Sequence, residues 1–322
     1  MSSQDFWDRE VSSESFHATN WMLNPTIHEY INASIGTAEH PLWPLDWFQQ
    51  WLGQRHFARA LSVGCGTGAL ERDLVRRNLC ERVDAFDGSL GSLAIAREEA
   101  RRSAMDRRIG YFASDFNRPV LPRRRYDLVL IHQAMHHVAK LEKLLRAILL
   151  ALKPDGLLYL DEYIGPSRHE WTEERYIAQR KFFATIPREC LFVPVLPYPI
   201  VPQDPSEAFR SSEVVPQLEV GFDLVAFRGY GGNLLAPIVP AVDWKLAPKD
   251  LLERLIQSER DLLARGEPPF HAVIVARPKR GRAKRLASWR YFAEPKLKRI
   301  LRGVRSSVFS FLLRRVELTD RL

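Results

Sequence analysis

The chain has 322 residues, of which 46% are hydrophobic and 27% are charged, a composition typical of folded globular proteins. Its first residues contain acids and no apolar core of a signal peptide, and it has no uninterrupted apolar stretch of about 18 residues, so we expect a cytoplasmic protein. Cys65, Cys80 and Cys190 are widely spaced and form no CxxC pair, which argues against a disulfide framework and a structural zinc site.

The formal net charge of +8 is unevenly distributed. From Arg277 to Leu322 there are 15 Lys and Arg against 3 Asp and Glu, whereas the rest of the chain has 32 against 36. A mildly acidic body lacks the phosphate-binding surface that nucleic acid requires. Nucleic acid is therefore disfavoured as a partner of the body.

An aromatic-rich leader, residues 1–54, precedes the first predicted strand. It contains Trp21, Trp43 and Trp47, together with Tyr30 and His40. We predict a helical lid from which Tyr30 and His40 reach a substrate pocket. Simple packing against the body is the alternative.

Predicted strands and helices then alternate along the chain. In order, the strands are "RALSVG", "RVDAFD", "RIGYFASD", "YDLVLIHQ" and "LLYLDEY", and helical patterns such as "ALERDLVRRN", "SLGSLAIAREEARRSA" and "LEKLLRAILLALKPDG" lie between them. The last of these helices is expected to stop at Pro154 and Gly156. After a helix in "WTEERYIAQRKFFATI" and a proline-rich stretch, sheet elements return in "FDLVAFRGY" and "FHAVIVAR". This alternation predicts one α/β domain over residues 55–277 with a parallel sheet, helices on both faces and a substrate-covering insertion at about 187–220.

The stretch "LSVGCGTGAL" places three glycines at the turn between the first strand and its helix. Glycines there let backbone N–H groups approach a ligand at the carboxyl edge of the sheet. Gly64, Gly66 and Ala69 fit the dinucleotide pattern G-x-G-x-x-A, and Asp87 follows 23 residues after Gly64. By themselves these residues are compatible with an NAD-dependent oxidoreductase.

Read as Gly64, Gly66 and Gly68, the turn resembles the first motif of class I S-adenosylmethionine-dependent methyltransferases. The resemblance continues through "FDGS", "SDFN", "YDLVLIHQAMHHV", "LKPDGLLYLDEY" and "FHAVIVAR", and "EYIGPSR" resembles a bacterial subset of the family. It implies a Rossmann-like, doubly wound sheet of seven strands with the last strand antiparallel, and S-adenosylmethionine as cofactor.

The resemblance also implies which residues bind that cofactor. Gly64, Cys65, Gly66 and Gly68 would contact its amino-acid and ribose portions, and Asp87 and Gly88 would contact the ribose hydroxyls. Asp115 and Phe116 would contact the adenine, and His132 and Gln133 would cover the remaining surface of the cofactor. Ser62 departs from the family, which commonly has an acid at that position near the cofactor's ammonium group.

Methyl transfer is an in-line displacement, so the protein must align donor and acceptor and exclude water. A hydroxyl acceptor must also lose a proton, and His136 and His137 are our candidate bases because histidine titrates near neutrality. Glu162 is the second choice. No metal is expected, because adjacent side chains on a helix do not face one ligand point.

The acceptor is predicted to be the hydroxyl of a small molecule or of a sugar in a glycan. Nucleobase amines are disfavoured because "HQAM" stands where enzymes for such acceptors often have an Asn/Asp-Pro-Pro-aromatic motif. Predicted substrate contacts are Tyr163, Arg168, Trp171, Glu207 and Arg210, with Tyr30 and His40 from the leader. The alternatives are a non-catalytic scaffold that binds S-adenosylmethionine and an NAD-dependent oxidoreductase.

The basic tail, residues 278–322, contains "EPKLKRILRGVRSSVFSFLLRRVEL", with apolar residues at helical spacing. Such a helix predicts peripheral contact with anionic lipid. Docking on the body, a dimer contact and RNA binding are alternatives, and the sequence leaves the oligomeric state open.

Overall fold

The computed structural model describes Asp8, residues 20–201 and residues 203–292. Its centre is a seven-stranded sheet in the order β3-β2-β1-β4-β5-β7-β6. The strands are β1 (Phe57–Val63), β2 (Cys80–Asp87), β3 (Ile109–Ala113), β4 (Tyr126–His132), β5 (Leu152–Tyr163), β6 (Phe222–Gly231) and β7 (His271–Pro278). Strands β1 to β5 pair in parallel, and β7 is antiparallel to both β5 and β6. The predicted doubly wound α/β sheet with an antiparallel last strand is confirmed.

Helices flank the sheet and lie between its strands. They are α1 (Pro25–Ile35), α2 (Pro44–Leu52), α3 (Ala69–Arg76), α4 (Leu90–Arg102), α5 (Leu141–Ala151), α6 (Ile177–Phe183), α7 (Val214–Gly221), α8 (Leu235–Ile238), α9 (Leu251–Ala264) and α10 (Gly281–Phe292). Several begin at the residues expected of a helix start. The side chain of Asn24 accepts the N–H groups of Thr26 and Ile27 at α1, and Ser89 accepts that of Ser92 at α4.

The sheet has a buried cluster on each face. Leu61 and Val63 of β1 belong to one cluster and Ala60 to the other, as the alternation of side chains along a strand requires. Both clusters are dominated by aliphatic residues. Their burial fixes the strand register, since a shift by one residue would exchange the two faces.

The leader packs against the body. Ile27, Ile31 and Phe48 are buried in the same cluster as the sheet, and the ring of Phe48 lies 4.6 Å from that of Tyr159. The alternative of simple packing therefore holds for much of α1 and α2. A lid role for this segment stays a prediction.

One boundary differs from the sequence prediction. Helix α5 ends at Ala151, and β5 begins at Leu152 without a turn, so Pro154 and Gly156 lie inside the extended segment. Pro154 disfavours helical backbone at Lys153, and Leu152, one residue earlier, is already extended at φ −68° and ψ 138°. The helix therefore ends earlier than its apolar pattern suggests.

Helix α10, the start of the predicted basic tail, docks on the body. Ala287 is buried, and the Tyr291 hydroxyl donates to the Gln217 carbonyl at 2.5 Å. The predicted lipid-binding segment around residues 297–312 lies outside the described residues. Within the described ranges, none of the helices has the length and apolar character to cross a bilayer.

Candidate functional site

The glycine turn after β1 has left-handed backbone at three positions. Gly64, Gly66 and Gly68 have φ of +74°, +49° and +76°. A Cβ at Gly64 would come within 2.3 Å of the Ala134 Cβ, and one at Gly68 within 2.3 Å of the Tyr111 hydroxyl. At Gly66 it would meet no atom within 4 Å. The turn is therefore tightly packed at its two ends and open at its middle, where a ligand can approach the backbone.

Asp87 connects the end of β2 to this turn. Its Oδ2 accepts the Gly66 N–H at 2.9 Å, and its Oδ1 accepts the Ser89 N–H at 2.8 Å. Burial raises the pKa of Asp87, and these backbone N–H groups oppose that rise. Each carboxylate oxygen accepts more than one hydrogen bond. The half-buried carboxylate is thus suited to hold a diol beside Gly66.

The residues predicted to contact an adenine follow β3. The ring of Phe116 is half-buried, 5.7 Å from that of Phe86, and its tip lies 3.7 Å from the position of a Cβ at Gly64. Asp115 is exposed, and its Oδ1 accepts the Asn117 N–H at 2.7 Å. Phe116 therefore flanks the glycine turn, while the Asp115 carboxylate also stabilises its own loop.

Two further predicted cofactor residues differ in accessibility. Gly88 is half-buried directly after Asp87, whereas Cys65 is buried in the glycine turn. Burial, followed by the charges of Glu71 and Asp87, raises the pKa of the Cys65 thiol. The thiol therefore stays protonated and is not a nucleophile.

A buried acid lies near Ser62, the position that departs from the family. Glu71 of α3 is fully buried, and neither of its carboxylate oxygens has a hydrogen-bond partner of good geometry among the described residues. Burial raises the pKa of Glu71 to about 7, and the neighbouring Ser62 hydroxyl partly opposes this. The sequence analysis missed this residue, since only the fold brings α3 under the end of β1.

His132 forms a dyad with Asp161 at the ends of β4 and β5. The His132 Nδ1 lies 3.3 Å from the Asp161 Oδ2, and the histidine side chain is 43% exposed while that of Asp161 is 3% exposed. The Tyr230 hydroxyl donates to the Asp161 Oδ1 at 2.6 Å, which fixes the carboxylate. Burial lowers the pKa of His132, but the hydrogen bond and charge of Asp161 outweigh it and raise the pKa above its usual value.

Gln133 supports the same group of side chains. Its N–H donates to the Asp161 carbonyl at 2.8 Å, and its Nε2 donates to the Tyr230 hydroxyl at 3.2 Å. Its φ is +48°, a strained conformation for a residue with a side chain. The sequence singled out His132 and Gln133 as cofactor contacts but did not pair them with Asp161 and Tyr230.

Glu162, the second-choice base, is fully buried and already bonded. It accepts the N–H groups of Ala134, Met135 and Tyr163 at 2.9, 2.6 and 2.8 Å, and it contacts the Nδ1 of His136. Burial lowers the pKa of His136, and the charge of Glu162 then raises it to about 9. With these contacts Glu162 positions the loop after β4 and the His136 ring. Neither of its oxygens is accessible to take a proton from a substrate.

His137 lies beside His136, with ring centroids 4.1 Å apart. Both Nε2 atoms lie 3.9 Å from the Oε2 of Glu207. The expectation that these neighbouring histidines face different points is wrong here. They belong to a short 3-10 helix, Met135–His137, and both rings turn toward a carboxylate from the insertion. Burial, and then the charge of His136, lowers the pKa of His137 well below its usual value.

Both arginines predicted to contact substrate are engaged within the protein. Arg168 donates to the carbonyls of Asp204 and Pro205 at 3.1 and 2.8 Å. Arg210 is buried and forms ion pairs with Glu142 and Glu213 at 2.8 and 2.7 Å. These contacts hold the insertion in place. A contact of either arginine with substrate stays a prediction.

The predicted aromatic contacts are divided between the rim and the core. Tyr163 is half-buried at the rim, where its ring meets those of His136 and His271. Trp171 and Tyr30 are buried, and His40 lies exposed in the loop between α1 and α2. Tyr163 is thus the member of this set that lies next to the histidines.

Residues 61–160 match the family model described as a methyltransferase domain. Among curated proteins, the chain is 31% identical over 156 residues to a ubiquinone biosynthesis O-methyltransferase of Ruegeria pomeroyi, covering 48% of this chain and 56% of the relative. It is 26% identical over 118 residues to a sterol 24-C-methyltransferase of Candida albicans, and this match covers 37% of this chain and 31% of the relative. The chain thus spans about half or less of the length of these relatives.

Among solved structures, a phosphoethanolamine N-methyltransferase 2 of Haemonchus contortus in complex with S-adenosyl-L-methionine has a similar fold. The TM-score is 0.50 at 16% identity, and the match covers 87% of this chain and 60% of that one. At this identity the likeness concerns the fold alone.

Proposed function

Because this chain carries a class I S-adenosylmethionine-dependent methyltransferase domain, we propose that it transfers a methyl group to a hydroxyl oxygen of a small molecule or of a sugar in a glycan. The acceptor class rests on the dyad of His132 and Asp161, a group suited to removing a hydroxyl proton. The similarity to a ubiquinone biosynthesis O-methyltransferase supports an oxygen acceptor, whereas that to a sterol C-methyltransferase leaves carbon as the alternative.

The residues around the glycine turn fit the cofactor. The open side of Gly66 admits a ligand against the backbone, and the Asp87 carboxylate lies next to it to accept the hydroxyls of a ribose. Phe116 offers an aromatic face beside Gly64 for the adenine. When bound, S-adenosylmethionine supplies an electrophilic methyl group on a sulfonium sulfur.

In the proposed reaction His132, rather than His136 or His137, accepts the proton of the hydroxyl. Its Nδ1 faces the Asp161 carboxylate, so Nε2 is the nitrogen that takes the proton. The carboxylate then stabilises the imidazolium that forms. As the acceptor O–CH3 bond forms and the S–CH3 bond breaks, the proton stays on His132. The exposed imidazole then returns it to solvent.

Aromatic side chains near the dyad support a compact acceptor. The rings of Trp21, Tyr163 and Tyr230 lie 5.2, 5.2 and 5.6 Å from that of His271. Small-molecule sites are commonly lined by aromatic residues with a few polar groups among them. Trp21, Tyr230 and His271 are buried, so the half-buried Tyr163 is the ring of this group that we expect to meet the flat face of a sugar or of another ring that carries the hydroxyl.

The cofactor site is tested by calorimetric titration with S-adenosylmethionine and its demethylated product. Loss of a hydrogen bond to a charged group costs about 1.5–3 kcal/mol, so we expect Asp87→Asn to bind about 10- to 100-fold more weakly. Asp155→Asn, at a carboxylate 80% exposed and outside the predicted cofactor site, is the matched control and is expected to leave affinity unchanged. No binding by the wild type would refute the assignment of the cofactor.

The dyad is tested by turnover with hydroxyl acceptors, sugars and ring phenols first. We expect His132→Gln and Asp161→Asn to lower kcat by about 10²- to 10⁴-fold, and Asp155→Asn, at a carboxylate 80% exposed, to leave it unchanged. Because the pKa of His132 is raised, the wild-type rate should increase through a pH above the usual histidine range. Cofactor binding without turnover on any acceptor would favour the scaffold alternative.

A further inference from the structure

A second group of polar side chains lies beside the proposed acceptor pocket and takes no part in the reaction above. It consists of His136 and His137 from the 3-10 helix after β4 and Glu207 from the insertion. One ligand atom from each of the three residues lies within 4.8 Å of the other two. The imidazoles are buried or nearly so, and the Glu207 side chain is 19% exposed.

The hydrogen bonds of the two rings determine which nitrogens face inward. The Ser206 hydroxyl donates to the Asp204 Oδ1 at 2.7 Å and has a single proton, so it accepts from the His137 Nδ1 at 3.0 Å. The His136 Nδ1 likewise donates to the Glu162 carboxylate. In its neutral form each ring therefore carries its proton on Nδ1 and has the lone pair of Nε2 on the side of Glu207. Glu162 favours the protonated form of His136, so a metal ion would displace the Nε2 proton of that ring.

This arrangement has the outer contacts of a metal site. Histidines that bind metals usually donate their other ring N–H to a carboxylate, a carbonyl or water, which fixes the tautomer and orients the ring. Glu162 does this for His136. For His137, Ser206 accepts the proton, and the Asp204 Oδ2 lies 3.4 Å from the same nitrogen.

The charges of the cluster also favour a cation. Glu162 and Asp204 are fully buried, and Glu207 adds a third carboxylate beside the two rings. The positive charges of His136 and Arg168 act on Glu207 and offset part of this negative charge. With His136 neutral, as a ligand, three carboxylates against Arg168 leave a net negative charge that a divalent cation would balance.

We propose that His136, His137 and Glu207 bind a divalent transition-metal ion of the Zn²⁺ class. Two imidazole nitrogens and one carboxylate are a ligand set found for zinc sites with an open fourth position. Metal–ligand bonds of about 2.1 Å place tetrahedral ligands about 3.4 Å apart. The observed 3.9 Å separations from the Glu207 oxygen require closure by about half an ångström.

The ion would join two parts of the chain that are distant in sequence. Glu207 belongs to the insertion, and the histidines belong to the rim of the sheet. Binding would fasten the insertion beside the acceptor pocket. This inference does not depend on methyl transfer, since it concerns side chains outside the proposed dyad.

The test uses tag-free full-length protein, stripped with EDTA and titrated calorimetrically with Zn²⁺ in the absence of cofactor. We expect one equivalent to bind and to raise the Tm, because a ligand that binds only the folded state stabilises it. Glu207→Gln and His137→Gln are expected to abolish this binding. Glu189→Gln, an exposed acid of the same insertion, is the control and should bind as the wild type does.

A milder variant keeps the test decisive if these substitutions unfold the protein. Ser206→Ala removes an outer contact and leaves all three ligands, so we expect Zn²⁺ affinity to fall about 10- to 100-fold. Absorption of bound Co²⁺ in the visible range gives an independent readout of four-coordinate binding. No saturable binding by the wild type, or equal binding by wild type, Glu207→Gln and Ser206→Ala, would overturn the proposal.

Discussion

Replacing Arg210 with methionine is expected to destabilise the protein strongly and to leave cofactor binding intact. The Arg210 guanidinium donates to both oxygens of Glu142 at 2.9 and 2.8 Å and to both oxygens of Glu213 at 3.0 and 2.7 Å. It also donates to the Ala139 carbonyl at 3.0 Å. One side chain therefore joins the insertion to the start of α5.

The size of the effect follows from burial. The side chain of Arg210 is 6% exposed, and those of Glu142 and Glu213 are 25% and 28% exposed. Removing one partner of a buried ion pair costs about 3–5 kcal/mol, because the remaining charge is left unpaired. Water reaches part of both glutamates, so we expect a value of about 3 kcal/mol, the lower end of that range.

The free energy of unfolding is measured by urea titration, followed by circular dichroism and tryptophan fluorescence. Arg280→Met is the matched control, because Arg280 pairs with Asp155 where the two side chains are 74% and 80% exposed. An exposed pair contributes less than about 1 kcal/mol. The difference between the two variants therefore reports the contribution of the buried network of Arg210 relative to an exposed ion pair.

The opposite pattern would refute this reasoning. If Arg210→Met proves as stable as Arg280→Met while the KM for the acceptor rises, Arg210 contacts substrate, as the sequence analysis predicted. The ion pairs with Glu142 and Glu213 would then contribute little to folding.

Two other predictions concern the neighbourhood of the glycine turn. Burial raises the pKa of Glu71 to about 7 from an ordinary 4.5. As the pH rises, the unfolded chain therefore loses this proton at a lower pH than the folded protein does, and the free energy of unfolding of the wild type should fall by about 3 kcal/mol between pH 4.5 and 7. Glu71→Gln should lack that decrease in urea titrations from pH 4 to 8, and an unchanged pH slope would contradict the assignment. Gly64→Ala places a Cβ 2.3 Å from that of Ala134 at a φ of +74°, so we expect a loss of at least about 2 kcal/mol from overpacking and strain. Gly66→Ala, with φ +49° and open space around the new Cβ, should lower the free energy of unfolding by about 1 kcal/mol but bind S-adenosylmethionine much more weakly. Equal stability of the two variants would show that the contact at Gly64 relaxes freely.

Much of the fold follows from local patterns in the sequence. Alternating apolar runs and helical periodicity predict the strands and helices in their order, because each pattern reflects which face of an element is buried. The glycine turn and Asp87 were also predictable, since parallel strands end at one edge of the sheet and place their following residues there. The end of α5 was not, because Leu152 is recruited into β5 by pairing with Tyr126 of the neighbouring strand.

The partners of the polar side chains depended on tertiary structure. Sequence alone placed His132, His136 and His137 near one another, but Asp161 and Glu207 reach them from other segments. Arg168 and Arg210 were predicted to contact substrate, yet both have partners within the protein. The half-buried Arg168 donates to backbone carbonyls. The buried Arg210 pairs with two glutamates, because a buried charge needs a partner. Periodicity along the chain thus determined which elements form and which edge carries the site. Only the packed structure decided which charged groups neutralise each other and which remain available to bind a ligand.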